Sequence, residues 1–210
     1  MAMVKPNDFL NFIKSRRSAK RLRLSPIPRE IVEDILAVAT SAPSAHNAQP
    51  WRFIVITNQN VKLRLAEAMA QAWQGDLLKD GLSSEEVEKI INTSIERTMN
   101  ASVLIIVCLT MDDMDKYFDE RRKRAEYLMA VQSVSAAIQN LLLAVHAKNL
   151  GACWRCAPLF CTDYVREILR VPKSFDPQAL IEIGSRTERL KRPTRKPLKD
   201  IIRYNGWNLD

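Results

Sequence analysis

The 210-residue chain is 47% hydrophobic and 27% charged, a size and balance that support a sizeable core within one domain, residues 1–210. Its four cysteines do not amount to the disulfide framework of a short secreted domain and read as reduced thiols. The net charge of +8 is unevenly spread, with +6 in residues 14–23, +6 in residues 186–199 and −4 in the rest; this disfavours a nucleic-acid surface and leaves each basic segment as a solvated face or part of a site for a phosphorylated small molecule.

The first fifteen residues are interspersed with polar ones, and no uninterrupted apolar run reaches about 18 residues. Neither a signal peptide nor a membrane span is expected, and the protein is assigned to the cytoplasm. A first helix is predicted over about 6–14. A second follows Pro26, with Pro28 in a favoured first-turn position and Ile31, Ile35, Val38 and Ala39 at helical spacing, and Pro43 ends it. WRFIVIT at 51–57 and VLIIVCL at 103–109 read as buried strands, as does ALIEIG at 179–184. Helices are predicted at about 60–73, 84–99 and 162–169, the middle one opening on Ser83/Ser84 with Glu86 in the manner of a capping box. The longest predicted helix, about 122–148, is apolar or small on nearly every face and must be enclosed. Ser133, Ser135, Ala136 and Ala137 would admit a second subunit closely, whereas a central helix of a monomer would show the same pattern. Strands interleaved with helices indicate an α+β or α/β sandwich built on one sheet.

Several chemistries are excluded by residue type. With only five glycines, there is no dinucleotide fingerprint and no P-loop, so a phosphate must be held largely by side chains. There is no G-x-S-x-G elbow, and two histidines are too few for most triad or His-based metal schemes. Cys153-Trp154-Arg155-Cys156, with Cys161 beyond it, has the spacing for a dithiol or a metal. A closed zinc site lacks ligands unless His146 supplies the fourth, so packing is the favoured reading and no metal is assigned. Neither basic segment carries the interleaved aromatics of a nucleic-acid stacking platform.

Three segments together resemble the nitroreductase superfamily of FMN enzymes over nearly the whole chain. Arg16-Arg17-Ser18-Ala19-Lys20 is similar to its R-x-S-x-[RK] motif, Ala42-Pro43-Ser44-Ala45-His46-Asn47-Ala48-Gln49-Pro50-Trp51 to its A-P-S-x-x-N-x-Q-P-W stretch, and Asn149 to Cys156 to its G-L-G-x-C-W strand. The resemblance implies a three-layer α/β/α sandwich, a homodimer, and FMN as the reactive group with NAD(P)H as reductant. Arg16 and Ser18, with Arg17 beside them, would then reach the phosphate and ribityl chain, and Lys20 the pyrimidine edge, where a cation stabilises the reduced ring. Ser44, Ala45 and Asn47 would approach the flavin held mainly by the other subunit, while Gln49 and Trp51 fix the turn into the strand.

By the same resemblance the backbone of Cys153, Trp154 and Cys156 faces the ring, and a main-chain N–H near Cys156 donates to flavin N5. Common members often carry glycine at position 156 or 157. Arg195 matches the C-terminal K-x-R-x-P-L segment that returns to the phosphate, assisted by Arg192 or Lys191. No side chain is then required as a catalytic acid or base. The pattern is most similar to the flavin domain fused to the deazaflavin-coenzyme γ-glutamyl ligase, through Trp73-Gln74-Gly75-Asp76-Leu77, Asp80-Gly81, the helical insert to about residue 100, and Cys153-Trp154 leading to Phe160. Quinones, nitroaromatics or an unsaturated deazaflavin precursor are the acceptors implied. A flavin-binding protein without turnover is the reading from a different class.

Overall fold

The computed structural model describes residues 5–187 and 193–207. In chain order the elements are α1 (Pro6–Ser15), β1 (Leu22–Arg23), α2 (Arg29–Thr40), β2 (Trp51–Ile56), α3 (Gln59–Lys79), α4 (Ser84–Met99), β3 (Val103–Thr110), α5 (Glu120–Ala147), β4 (Gly151–Arg155), α6 (Thr162–Leu169) and β5 (Phe175–Arg186). The strands form one antiparallel sheet in the order β1-β5-β3-β2, and β4 also pairs with β5.

Strand β3 shows why the sheet has helices on both faces. All eight of its residues are buried, and they alternate between two cores because successive side chains leave a strand on opposite sides. Val103, Ile105, Val107 and Leu109 join Val32, Ile35 and Ala39 of α2 and the apolar side of α5. Leu104, Ile106 and Cys108 join Leu65 and Met69 of α3 and Val165 of α6. The result is three layers, helices on sheet on helices, as the sandwich reading expects.

The long helix α5 spends its apolar residues on this core. An 18-residue window of it has a mean hydropathy of 1.6, enough by length and composition to cross a membrane, yet half of that window is buried within the fold. Residues such as Ala130, Val134, Ile138, Leu141 and Val145 lie against the sheet. Its uncovered side includes Leu128, 50% exposed.

Boundaries moved where local signals and tertiary packing disagree. Helix α3 continues six residues past its expected end, through Gly75, a residue that locally disfavours helix. Strand β5 starts at Phe175 and not at 179 because β3 pairs with that stretch, and the register shift opposite Val107 and Cys108 accommodates Pro177, which cannot donate a ladder hydrogen bond. Pro28 is the N-cap of α2 and not a residue of its first turn, and the buried stripe of that helix runs through Val32 while Val38 is 46% exposed. The capping box at Ser83 and Glu86 forms as expected, each side chain bonding the other's backbone N–H.

Candidate cofactor site

After α1 the chain runs extended along β4. Ser18 bridges Ala152, and the Ala19 N–H donates to the Ala152 carbonyl at 2.8 Å. This fastening sets Arg16 and Arg17 beside the start of β4 and the end of α5, where they share a recess with Leu142, Val145, His146 and Arg186. Gly151 makes the approach possible, since a Cβ there would lie 2.8 Å from Arg186 Cγ and from Leu22 Cδ2 and 2.9 Å from Ala19 Cβ. Burial, then the charges of Arg17 and Arg195, push the Arg16 guanidinium below its ordinary value. His146 is likewise held down by burial, then by Arg186, Arg16 and Arg17.

Arg16, Arg17, Arg186 and Arg195 therefore form a cationic cluster, and none has a carboxylate in ion-pair contact among the described residues. Arg17 Nη1 donates to the carbonyls of Lys14 and Arg16, both at 2.6 Å, whereas its Nε is buried without a partner. Leaving a buried donor unmade is costly, so this recess is chemically complete only with an anion or water against it. The two basic segments, 170 residues apart in sequence, meet here as a phosphate site would require. Lys20 is exposed and acts electrostatically on Cys153. Lys191 and Arg192 lie outside the described residues.

Strand β4 carries Cys153, with Cys156 and Cys161 following it, and its two faces behave differently. Trp154 packs toward the α5 side. Cys153 stands opposite Glu182 of β5 and faces the other layer. Glu182 is fully buried and accepts from Arg97 Nε at 3.2 Å, Arg155 Nη1 at 2.8 Å and Thr98 Oγ1 at 3.2 Å. Arg97 Nη2 also donates to Cys153 Sγ at 2.9 Å, and Arg155 Nη2 to Ser94 Oγ at 2.9 Å. Burial pushes the Cys153 thiol up, Cys161 up to about 11 and Cys108 up to about 12. These are protonated, weakly nucleophilic thiols, as packing predicts. Cys156 is exposed, at the cap of a 3₁₀ turn over Ala157–Phe160.

Beside this network lies a cleft of about 500 Å³ lined by Trp73, Asp76, Asp80, Ser94, Arg155, Phe160 and Cys161 among others. A recess of about 330 Å³ shares Trp73, Ser94 and Arg155 with it and adds Arg97. Trp73, Asp76 and Asp80 come from the last turns and cap of α3 and Phe160 from the turn after β4, some 80 residues on, and the fold gathers them on one rim.

The stretch from Ala42 to Trp51 takes a different position. Ser44 Oγ accepts from the Gln49 N–H at 3.1 Å, and the Ala45 N–H donates to Ser133 Oγ of α5 at 3.1 Å. His46, Asn47 and Gln49 all have left-handed φ values of 55°, 53° and 47°, which costs about 1–3 kcal/mol per residue for types other than glycine and is lightest for asparagine. Ser133 and His146 are 13 residues apart on α5, roughly 20 Å at helical rise. Within one chain, Ser44, Ala45, Asn47 and Gln49 thus stand well away from the Arg16 cluster.

Sequence reasoning had not singled out Glu182, Arg97, Arg155 or Arg186 as site residues. The one available signal was an acid inside an otherwise apolar strand, ALIEIG, which demands buried partners.

The sequence matches the nitroreductase family over residues 13–185. It is 29% identical over 181 residues to a Methanothermobacter thermautotrophicus protein named "Putative NADH dehydrogenase/NAD(P)H nitroreductase", covering 84% of this chain and 76% of that protein. It is 24% identical over 190 residues to the Bacillus subtilis protein named "Putative NAD(P)H nitroreductase YfhC", covering 90% of each. Among solved structures, the fold superposes on a Desulfovibrio desulfuricans protein described as "a putative nitroreductase in complex with fmn" with a TM-score of 0.71 at 24% identity, covering 98% of this chain and 99% of that one. A BluB-like flavoprotein of Clostridium difficile gives a TM-score of 0.77 at 20% identity, covering 98% and 100%.

Proposed function

The chain belongs to the nitroreductase family, and from that premise we propose that it is a cytoplasmic, homodimeric, FMN-dependent oxidoreductase that takes electrons from NAD(P)H and passes them to an electron-poor planar acceptor. The observation that carries this reading is the Arg16, Arg17 and Arg195 cluster, uncompensated by carboxylates among the described residues and holding a buried, unpartnered guanidinium N–H. A phosphate monoester supplies what that donor set lacks, because a dianion offers several strong acceptors to guanidinium groups. Arg16, Arg17 and Arg195 would hold the phosphate, Ser18 would assist, and Lys20 would face the ring edge from the side of Cys153. Bound flavin supplies hydride acceptance and donation at N5. The protein's share is position and charge, with the main chain at Cys153, Trp154 and Cys156 against the ring.

Two features support a second copy as part of the site. The Ser44–Gln49 loop lies roughly 20 Å along α5 from the phosphate recess, so it can serve a cofactor only on another chain. Large apolar side chains also stand uncovered on α1 (Phe9, Leu10), on α5 (Leu128) and near the C-terminal end (Leu198, Ile201, Trp207), each about half exposed or more. The cleft at Trp73 and Phe160 has the size and aromatic rim for a planar acceptor. Quinones, nitroaromatics and an unsaturated deazaflavin precursor all fit that description, and no nucleic acid or membrane enters the scheme.

Purified protein should carry non-covalent FMN, elute as a dimer, and bleach anaerobically with NADH or NADPH. A colourless chain that takes up no FMN would sink the proposal. FMN that binds at one per chain and resists both nicotinamides would identify a flavin-binding protein without turnover.

A further inference from the structure

A second polar cluster lies apart from the Arg16 recess and from the Cys153 network. It joins the Ala45–Asn47 3₁₀ turn, the segment between β3 and α5, and the first half of α5. His46 Nε2 stands 3.4 Å from Glu126 Oε1 and 3.9 Å from Asp115 Oδ2, and one ligand atom from each residue falls within 4.8 Å of the others. Glu126 is only 4% exposed, and its Oε2 has no hydrogen-bond partner. A buried carboxyl oxygen in that state is incomplete without a cation, a donor or a water against it. The chain carries 32 lysines and arginines, yet among the described residues His46 is the only basic group in ion-pair contact with Glu126 or Asp115.

We propose that His46, Asp115 and Glu126 bind one divalent transition ion of the zinc class. An ion about 2.1 Å from each donor in tetrahedral geometry sets donors about 3.4 Å apart, which is the His46–Glu126 separation. Asp115, with a side chain 56% exposed, needs to move inward by about an ångström. One imidazole nitrogen and two carboxylate oxygens suit zinc, cobalt or manganese better than magnesium or calcium, which favour all-oxygen sets. Three protein ligands leave a fourth position open. The ion would also brace the left-handed backbone at His46 and Asn47, tying that loop to α5. The cysteines play no part, so this site is independent of the C-x-x-C pattern; it shares its turn with Ala45 and Asn47, which the proposed function sets against the flavin of a second copy.

The test is titration of chelator-treated protein with Zn²⁺ and Co²⁺, reading retained metal by mass spectrometry after desalting, the Co²⁺ absorption spectrum, and the melting temperature. One equivalent per chain, visible Co²⁺ d–d bands without thiolate charge transfer, and a rise in melting temperature are expected. Glu126→Gln and Asp115→Asn should each weaken binding at least tenfold, and the Cys153→Ser/Cys156→Ser double variant should bind as the parent does. Asp115 is exposed, so its variant keeps the test decisive even if Glu126→Gln fails to fold. No stoichiometric metal in the parent protein, unchanged affinity in Asp115→Asn, or thiolate charge transfer that vanishes with the cysteines would each overturn the assignment.

Discussion

Replacing Arg16 by Gln should move cofactor affinity and the stability of the cofactor-free protein in opposite directions. Arg16 is part-buried beside Arg17 and Arg195, whose charges oppose its own. Two like charges about 6 Å apart in a largely solvated setting repel by roughly 0.7–1.4 kcal/mol, so neutralising one should raise apo stability by about 1 kcal/mol, or roughly 2–4 °C in a domain of this size. The same change deletes a charge-assisted hydrogen bond to phosphate, about 1.5–3 kcal/mol, and weakens FMN about 10- to 150-fold. Flavin fluorescence titration gives the affinity, and thermal melts of flavin-stripped protein give the stability. Raising the salt concentration should stabilise the apo parent by screening, and less so the variant. Lys14→Gln and Lys199→Gln, at exposed positions, should change both readings little, since exposed charges contribute roughly 0–1 kcal/mol. If Arg16→Gln lowered apo stability while binding FMN as tightly as Lys199→Gln does, the guanidinium cluster would be ordinary surface and the cofactor lies elsewhere.

Other outcomes follow from the same geometry. Glu182→Gln removes the carboxylate between Arg97 and Arg155 and should cost about 3 kcal/mol, lowering the melting temperature by roughly 6–12 °C; an unchanged melt would show that the two guanidinium groups are solvated without it. Gly151→Ala puts a methyl 2.8 Å from Arg186 Cγ and from Leu22 Cδ2 and should destabilise by about 1–3 kcal/mol while loosening FMN, and tight flavin with a normal melt would argue against the close approach. His146 titrates below its ordinary value in the folded chain, so its share of stability is present above about pH 6.5 and declines as pH falls and the unfolded chain takes the proton first. Phosphate or FMN beside Arg16 should raise that pKa, visible in the ring proton shifts of a protein with only two histidines, and a titration indifferent to either ligand would separate His146 from the anion site.

The layers were legible in the sequence because β3 is apolar on both faces and the middle of α5 is apolar or small on nearly every face, and such segments must be enclosed. The phosphate recess was legible only in part. Arg16 and Arg195 sit in charge runs that a linear reading can mark, but their meeting depends on Ala19 bonding Ala152 and on Gly151 leaving room for Arg186, pairings with no local periodicity. Element ends were less readable for the same reason: Gly75 and Pro177 are local breakers that packing and a bulge override. The Glu126 cluster was the least legible. His46, Asp115 and Glu126 occupy three segments, none with metal-ligand spacing, and His46 reaches the carboxylates from a left-handed backbone conformation that is uncommon outside glycine. Strain of this kind survives only where the surroundings over-determine it. At this loop the surroundings include a buried carboxylate oxygen with nothing against it, and the two departures from ordinary local chemistry lie in direct contact.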